Sequence, residues 1–146
     1  MRHVLIGPAQ GMILGLALFL AGATAPARAD PAGIETAIRG QMQAFRGEDV
    51  EGAFGFASDG IRRIFVTPER FGAMVRHGYP MVWAPGEVQL LELRFRDRAL
   101  WQRVRVLDGE GLYHLLDYRM VQSGSWPGAP WRIDAVLYLG AAGLGA

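Results

Sequence analysis

The chain has 146 residues, with 15 basic residues that are all Arg, 14 acidic residues and no Cys. That inventory excludes thiol catalysis, lysine Schiff-base chemistry and Cys-based metal sites. A formal net charge of +1 makes no general electrostatic case for nucleic acid or an anionic membrane as a partner.

Residues 1–29 read as a secretion signal. Arg2 and His3 make a short basic start, and 12–21 form an apolar run too short to span a bilayer comfortably. Ala27-Arg28-Ala29 then matches a small-x-small cleavage pattern, with Pro26 just before it. An uncleaved membrane anchor is the alternative. Cleavage after Ala29 removes Arg2 and Arg28, so 13 basic residues face 14 acidic ones and the net charge becomes −1. The 117 residues left after removing 29 from 146 suffice for one core, burying ~65% of the unfolded surface. The expectation is a periplasmic or secreted protein with one domain over 30–139, a flexible tail at 140–146, and no membrane association once the signal is gone.

Asp30-Pro31 supplies an N-cap followed by Pro at the first helical position. Ile34, Ile38, Met42 and Phe45 then form one helical stripe that ends at Gly47. Asp49 can cap a shorter helix through Val50, Ala53, Phe54 and Ala57. Gly52 and Gly55 weaken it by about 1 kcal/mol each relative to Ala, and also permit close helix approach. Ser58-Asp59-Gly60 breaks the run, and Ile61, Ile64 and Phe65 fit either a helical turn or a short strand. Thr67-Pro68 repeats the start signal. Phe71, Met74 and Val75 share one face of that helix, and Gly78 offers a stop that tolerates positive φ. The apolar run from Tyr79 to Trp83 cannot continue it, because Pro80 disfavours the helical region for Tyr79.

Beyond Pro85-Gly86 the hydrophobic period changes to 2. Leu91, Leu93 and Phe95 alternate with charged residues, and Asp97-Arg98 makes a tight connection. Further strands are expected over 100–107, 112–121 and 131–139, joined by the turn Asp108-Gly109-Glu110-Gly111 and a longer loop at 123–130. The predicted fold is α+β, with N-terminal helices packed on a curved four-stranded antiparallel sheet.

Strand alternation then assigns faces. The inner face takes Leu91, Leu93, Phe95, Val104, Val106, Leu112, Leu116, Met120, Trp131 and Ile133, with the polar residues Gln102, His114 and Tyr118 among them. On the last strand Ala135, Leu137 and Leu139 share the face of Trp131, opposite Arg132, Asp134, Val136 and Tyr138. Arg103, Arg105, Asp117, Arg119, Arg132 and Asp134 form an outer ladder facing water. Trp101, Leu107, Tyr113 and Leu115 leave that outer face partly apolar, as a homodimer mate or another partner would use.

The order of elements, with Trp131-Arg132-Ile133-Asp134 opening the last strand, resembles the cone-shaped nuclear-transport-factor-2-like superfamily. More closely, Phe56-Ala57-Ser58, Thr67-Pro68-Glu69-Arg70-Phe71-Gly72, Gly78-Tyr79-Pro80-Met81-Val82-Trp83 and Leu116-Asp117-Tyr118 resemble a bacterial domain-of-unknown-function family, number 4864. The resemblance covers essentially 30–139 and implies a fold and a pocket but no activity. The superfamily's isomerases need an Asp base beside a Tyr, and its dehydratases a His–Asp pair. Asp117 points away from both Tyr118 and His114 by alternation, so neither pattern transfers.

The candidate pocket is His114, Tyr118 and Gln102, with Trp131 beside them and Tyr79, Met81 and Trp83 as a lip. A buried, satisfied His and core packing are the plainer accounts. His77 suits a helix C-terminus, and Arg62, Arg63 and Arg76 suit either a solvated face or an anion-reading edge. Histidines on separate elements without ligand spacing argue against a metal, and no cofactor motif is present. The expected role is a non-catalytic module binding a small apolar molecule or a protein. The alternatives are an acid–base enzyme of isomerase or lyase type using His114 and Tyr118, and a structural homodimer.

Overall fold

The computed structural model describes residues 30–143. The signal reading at 1–29 lies outside the described residues, as do 144–146. Among the described residues five helices come first: α1 (Pro31–Arg46), α2 (Val50–Gly55), α3 (Asp59–Phe65), α4 (Pro68–Gly78) and α5 (Pro80–Trp83). Four strands follow: β1 (Val88–Arg96), β2 (Ala99–Leu107), β3 (Leu112–Gln122) and β4 (Trp131–Gly143). They pair antiparallel in the order β1-β2-β3-β4, so the fold is α+β with an open meander.

The helices start where capping residues stand. Asp30 and Asp49 accept from Gly33 N at 3.0 Å and Gly52 N at 2.9 Å. Ser58 and Thr67 do the same for Ile61 N and Arg70 N, both at 3.2 Å. These bonds satisfy N–H groups that a helix leaves without intrahelical partners.

The 61–65 segment, which fits either a turn of helix or a strand by sequence, is helical, as part of α3. Three helical details differ from expectation. Gly78 stays within α4 without a positive φ, and the stop is made by Tyr79 at φ −134°, ψ 60°. Pro80 then serves as the first residue of a new turn, α5, so the apolar run is partly helical. Close approach of α2 and α4 is made at Gly72, where a Cβ would strike the Val50 side chain; Gly55 has open space around it.

Between α3 and α4 the chain turns at Val66, with φ 70° and ψ −46°, and Thr67 N donates to Phe65 O at 2.8 Å. That is a γ-turn of the strained hand, centred on a β-branched residue that strongly disfavours positive φ.

The sheet departs from simple alternation at three bulges. In β1, Leu91 and Glu92 together oppose Arg103. Leu90 therefore packs toward the core while Leu91 is exposed. In β4 the extra residues are Asp134 and Leu139. Each bulge reverses the alternation that follows it. Val136 pairs with Tyr118 and Tyr138 with Leu116, so both lie on the inner face, and Ala135 and Leu137 move to the outer one. Phe95 keeps its inner-face register opposite Leu100 but is 71% exposed, so it stands uncovered. Beyond Leu139, β4 continues to Gly143 opposite Leu112, where a flexible tail was expected. Gly140, at φ 119°, accommodates the second bulge without the penalty a Cβ would bring.

The core fills the space between α1, α2, α4, α5 and the inner sheet face. Ile34, Ile38, Met42 and Phe45 of α1 meet Val104, Val106, Leu116, Tyr118 and Met120, all at most 2% exposed. Phe71 joins three further rings, with centroids 5.8 Å from Phe45, 5.5 Å from Phe54 and 5.7 Å from Phe65. On the outer face Asp117 is buried instead of facing water. Arg103 grips it through two bonds of 2.9 and 3.0 Å, and Arg96 and Arg105 lie over the rings of Trp101 and Tyr113.

Candidate functional site

As the last strand of the meander, β4 has one edge with no strand partner among the described residues, and such an edge must be covered or blunted. At Ile133 the backbone of Phe56 to Ser58 pairs with it: Ser58 N donates to Ile133 O at 2.8 Å and Ile133 N to Phe56 O at 2.9 Å. At Val136 the Tyr79 hydroxyl donates to the carbonyl at 3.2 Å. Between these two clamps, where Asp134 bulges, the wall opens into a cavity of about 340 Å³. The helical layer contributes Ile61, Ile64 and Phe65 from α3 and Phe71, Met74 and Val75 from α4. Residues 133–136 form the opposite wall, and Gln41, Ala57, Tyr79 and Val82 complete the lining. Ile64 is 70% exposed and marks the open side.

Each polar side chain of this lining has at least one partner within the protein. Gln41 Nε2 donates to Ala53 O at 3.2 Å. Asp134 accepts from Ser58 Oγ at 2.7 Å and lies 3.5 Å from Arg119 Nε. Tyr79 is held by Val136. What remains for a ligand is mainly apolar contact, in a space of the size that small-molecule sites have.

Of the seven residues expected to line a pocket, Tyr79 is the one placed at this cavity. Gln102 is buried on the inner face, but its Nε2 lies 3.0 Å from Leu91 O and 3.4 Å from Glu92 O, so it caps the carbonyls freed by the β1 bulge. Tyr118 is fully buried, and its hydroxyl has no hydrogen-bond partner among the described residues. Burial holds its phenol well above the ordinary value, with the neighbouring Tyr79 adding to the shift. Trp131 is core, close against Gly33. Met81 is also buried core, whereas Trp83 packs on Phe45 with centroids 5.5 Å apart and lines a separate open hollow with Arg46 and Pro85.

His114 and Tyr118 share a face but not a site. The His114 ring is taken by Asp108 and Tyr138, at 2.6 and 3.0 Å. That contact and two backbone N–H bonds, from Leu112 and Glu110, hold the Asp108 carboxyl below its ordinary value. Among the described residues no three His, Asp or Glu converge as a metal site would require.

Sequence reasoning missed most of the cavity. Gln41 carried a signal, since a polar residue three after Ile38 falls on the buried stripe of α1. Val136 and Asp134 carried none, because a bulge had put them on the other face.

Residues 27–146 match the family model described as Domain of unknown function (DUF4864), and the chain belongs to that family. No curated protein and no solved structure matches the chain.

Proposed function

We propose that this protein is a binding module whose cavity between α3, α4 and β4 takes a small apolar ligand. The observation that carries the reading is a cavity of about 340 Å³ walled by Ile61, Phe65, Phe71, Met74, Val75 and Val136, whose few polar side chains each have a partner within the protein. A site meant for acid–base work would present a free titratable group to the ligand. Helices preceding a four-stranded meander, with a pocket between the layers, support a place in the nuclear-transport-factor-2-like superfamily. The basic start, apolar run and Ala27-Arg28-Ala29 support export to the periplasm or beyond. Among the described residues no helix is long and apolar enough to cross a membrane.

Fluorescence titration with the neutral apolar probe 1-aminoanthracene tests the binding reading. Saturable binding to the wild type is expected. Val136→Phe, which fills the cavity, should weaken it by about tenfold or more, equivalent to about 1.4 kcal/mol. Equal affinity in the two proteins, both folded by circular dichroism, would remove this cavity as the site.

A further inference from the structure

The hairpin joining β2 to β3 carries a cluster that the cavity does not use. His114 Nε2 lies 2.6 Å from Asp108 Oδ2, and His114 Nδ1 lies 3.0 Å from the Tyr138 hydroxyl. The imidazole is buried at 8% exposure, whereas Tyr138 is 47% exposed. Asp108 Oδ1 is occupied by the N–H groups of Glu110 at 2.8 Å and Leu112 at 3.0 Å, so Oδ2 is the oxygen left to face the ring. A carboxylate only accepts, so Nε2 carries the proton. In the neutral ring Nδ1 is then the acceptor, and the Tyr138 O–H points its proton at it. A hydroxyl within reach of a base, with the base oriented by a third group, is the arrangement that activates a nucleophile.

We propose that Tyr138 is a base-activated phenol nucleophile, with His114 as its proton acceptor and Asp108 as the residue positioning His114, acting on small activated acyl compounds such as aryl esters. The phenol oxygen forms a bond to the acyl carbon as its proton passes to His114 Nδ1. The carbon–oxygen bond to the aryl group breaks, and the departing aryl oxide takes the proton from His114. Water hydrolyses the acyl-tyrosine, releasing the carboxylic acid and restoring the phenol.

The probe for this site is benzenesulfonyl fluoride, which leaves a stable adduct. The tyrosine oxygen bonds to sulfur, the sulfur–fluorine bond breaks, fluoride leaves, and the proton passes through His114 to buffer. Peptide mass spectrometry on the folded protein compares the four tyrosines. Tyr138 is expected to be labelled about 100-fold faster than the half-buried Tyr113, the scale of general-base assistance. Asp108→Asn is the diagnostic variant. The Glu110 and Leu112 N–H groups still need an acceptor, so the Asn carbonyl takes the Oδ1 position and its NH₂ faces His114. That forces the ring proton onto Nδ1 and removes the base while the contacts persist. Labelling of Tyr138 should then fall to the Tyr113 rate with the circular dichroism spectrum unchanged. Wild-type Tyr138 reacting no faster than Tyr113, or Asp108→Asn leaving the rate unaltered, would overturn the proposal. Nitrogen-15 NMR of wild-type His114 gives a check that no variant's folding can obscure: a ring proton on Nδ1 in the neutral form also overturns it.

Discussion

Ser58 Oγ donates to Asp134 Oδ1 at 2.7 Å, joining residues 76 positions apart. The same oxygen accepts from Ile61 N at 3.2 Å, so one hydroxyl caps α3 and ties it to the bulge of β4 beside the cavity. No side chain of α3 is fully buried, so this bond and the backbone pairing at Ile133 do much of the anchoring.

Ser58→Ala removes the cap and one partner of Asp134 together. The expected cost is about 1–2 kcal/mol, read as a lower urea midpoint with an unchanged slope. A midpoint equal to the wild type would show that α3 is held by other contacts.

Val66→Gly should stabilise the protein. Relief of a strained positive φ contributes about 1–3 kcal/mol, and the extra chain freedom of glycine takes back about 0.5–1 kcal/mol. The side chain is 64% exposed, so little burial is lost. A net gain of about 1 kcal/mol in urea unfolding is expected, and a loss would mean that the γ-turn is not strained.

Asp117 is 4% exposed, and its two shortest ion-pair contacts both come from Arg103. Arg103→Ala leaves it with Arg96 at 3.9 Å as the nearest cation. The expected cost is about 3 kcal/mol, because a buried charge loses its partner. Replacing both, as Arg103→Met with Asp117→Leu, should return stability to within about 1 kcal/mol of the wild type. A double variant as unstable as the single one would rule out this account.

Hydrogen bonds from His114, Leu112 and Glu110 depress the Asp108 carboxyl in the folded state. The unfolded chain therefore binds the proton first. The stabilisation is present above the ordinary carboxyl value of about 4 and is lost as pH falls below it through the folded value. Thermal unfolding between pH 6 and pH 3 should show a shallower loss in Asp108→Asn than in the wild type. Parallel curves would remove Asp108 from the acid response.

The helices α1, α2 and α4 were legible because their signals are local. Asp30-Pro31, Asp49 and Thr67-Pro68 each act within three or four residues, and the stripe through Ile34, Ile38, Met42 and Phe45 needs no partner to be recognised, whereas Ser58, the cap of α3, reads in sequence only as a break. The hairpin turns at Asp97-Arg98 and 108–111, and hence the antiparallel order, were legible for the same reason.

Amino-acid order alone therefore determined the α+β class, the helices α1, α2 and α4 ahead of four antiparallel strands, the buried stripe of α1 and the charge and residue inventory that excludes whole classes of chemistry. Tertiary structure decided which side chains meet. A bulge adds one residue to one strand, and its position depends on what the neighbouring strand and helices need to bury, so nothing nearby in sequence announces it. The extra residue at Asp134 turned Val136 and Tyr138 to the inner face, which moved the cavity to the edge of β4 and brought a phenol to His114.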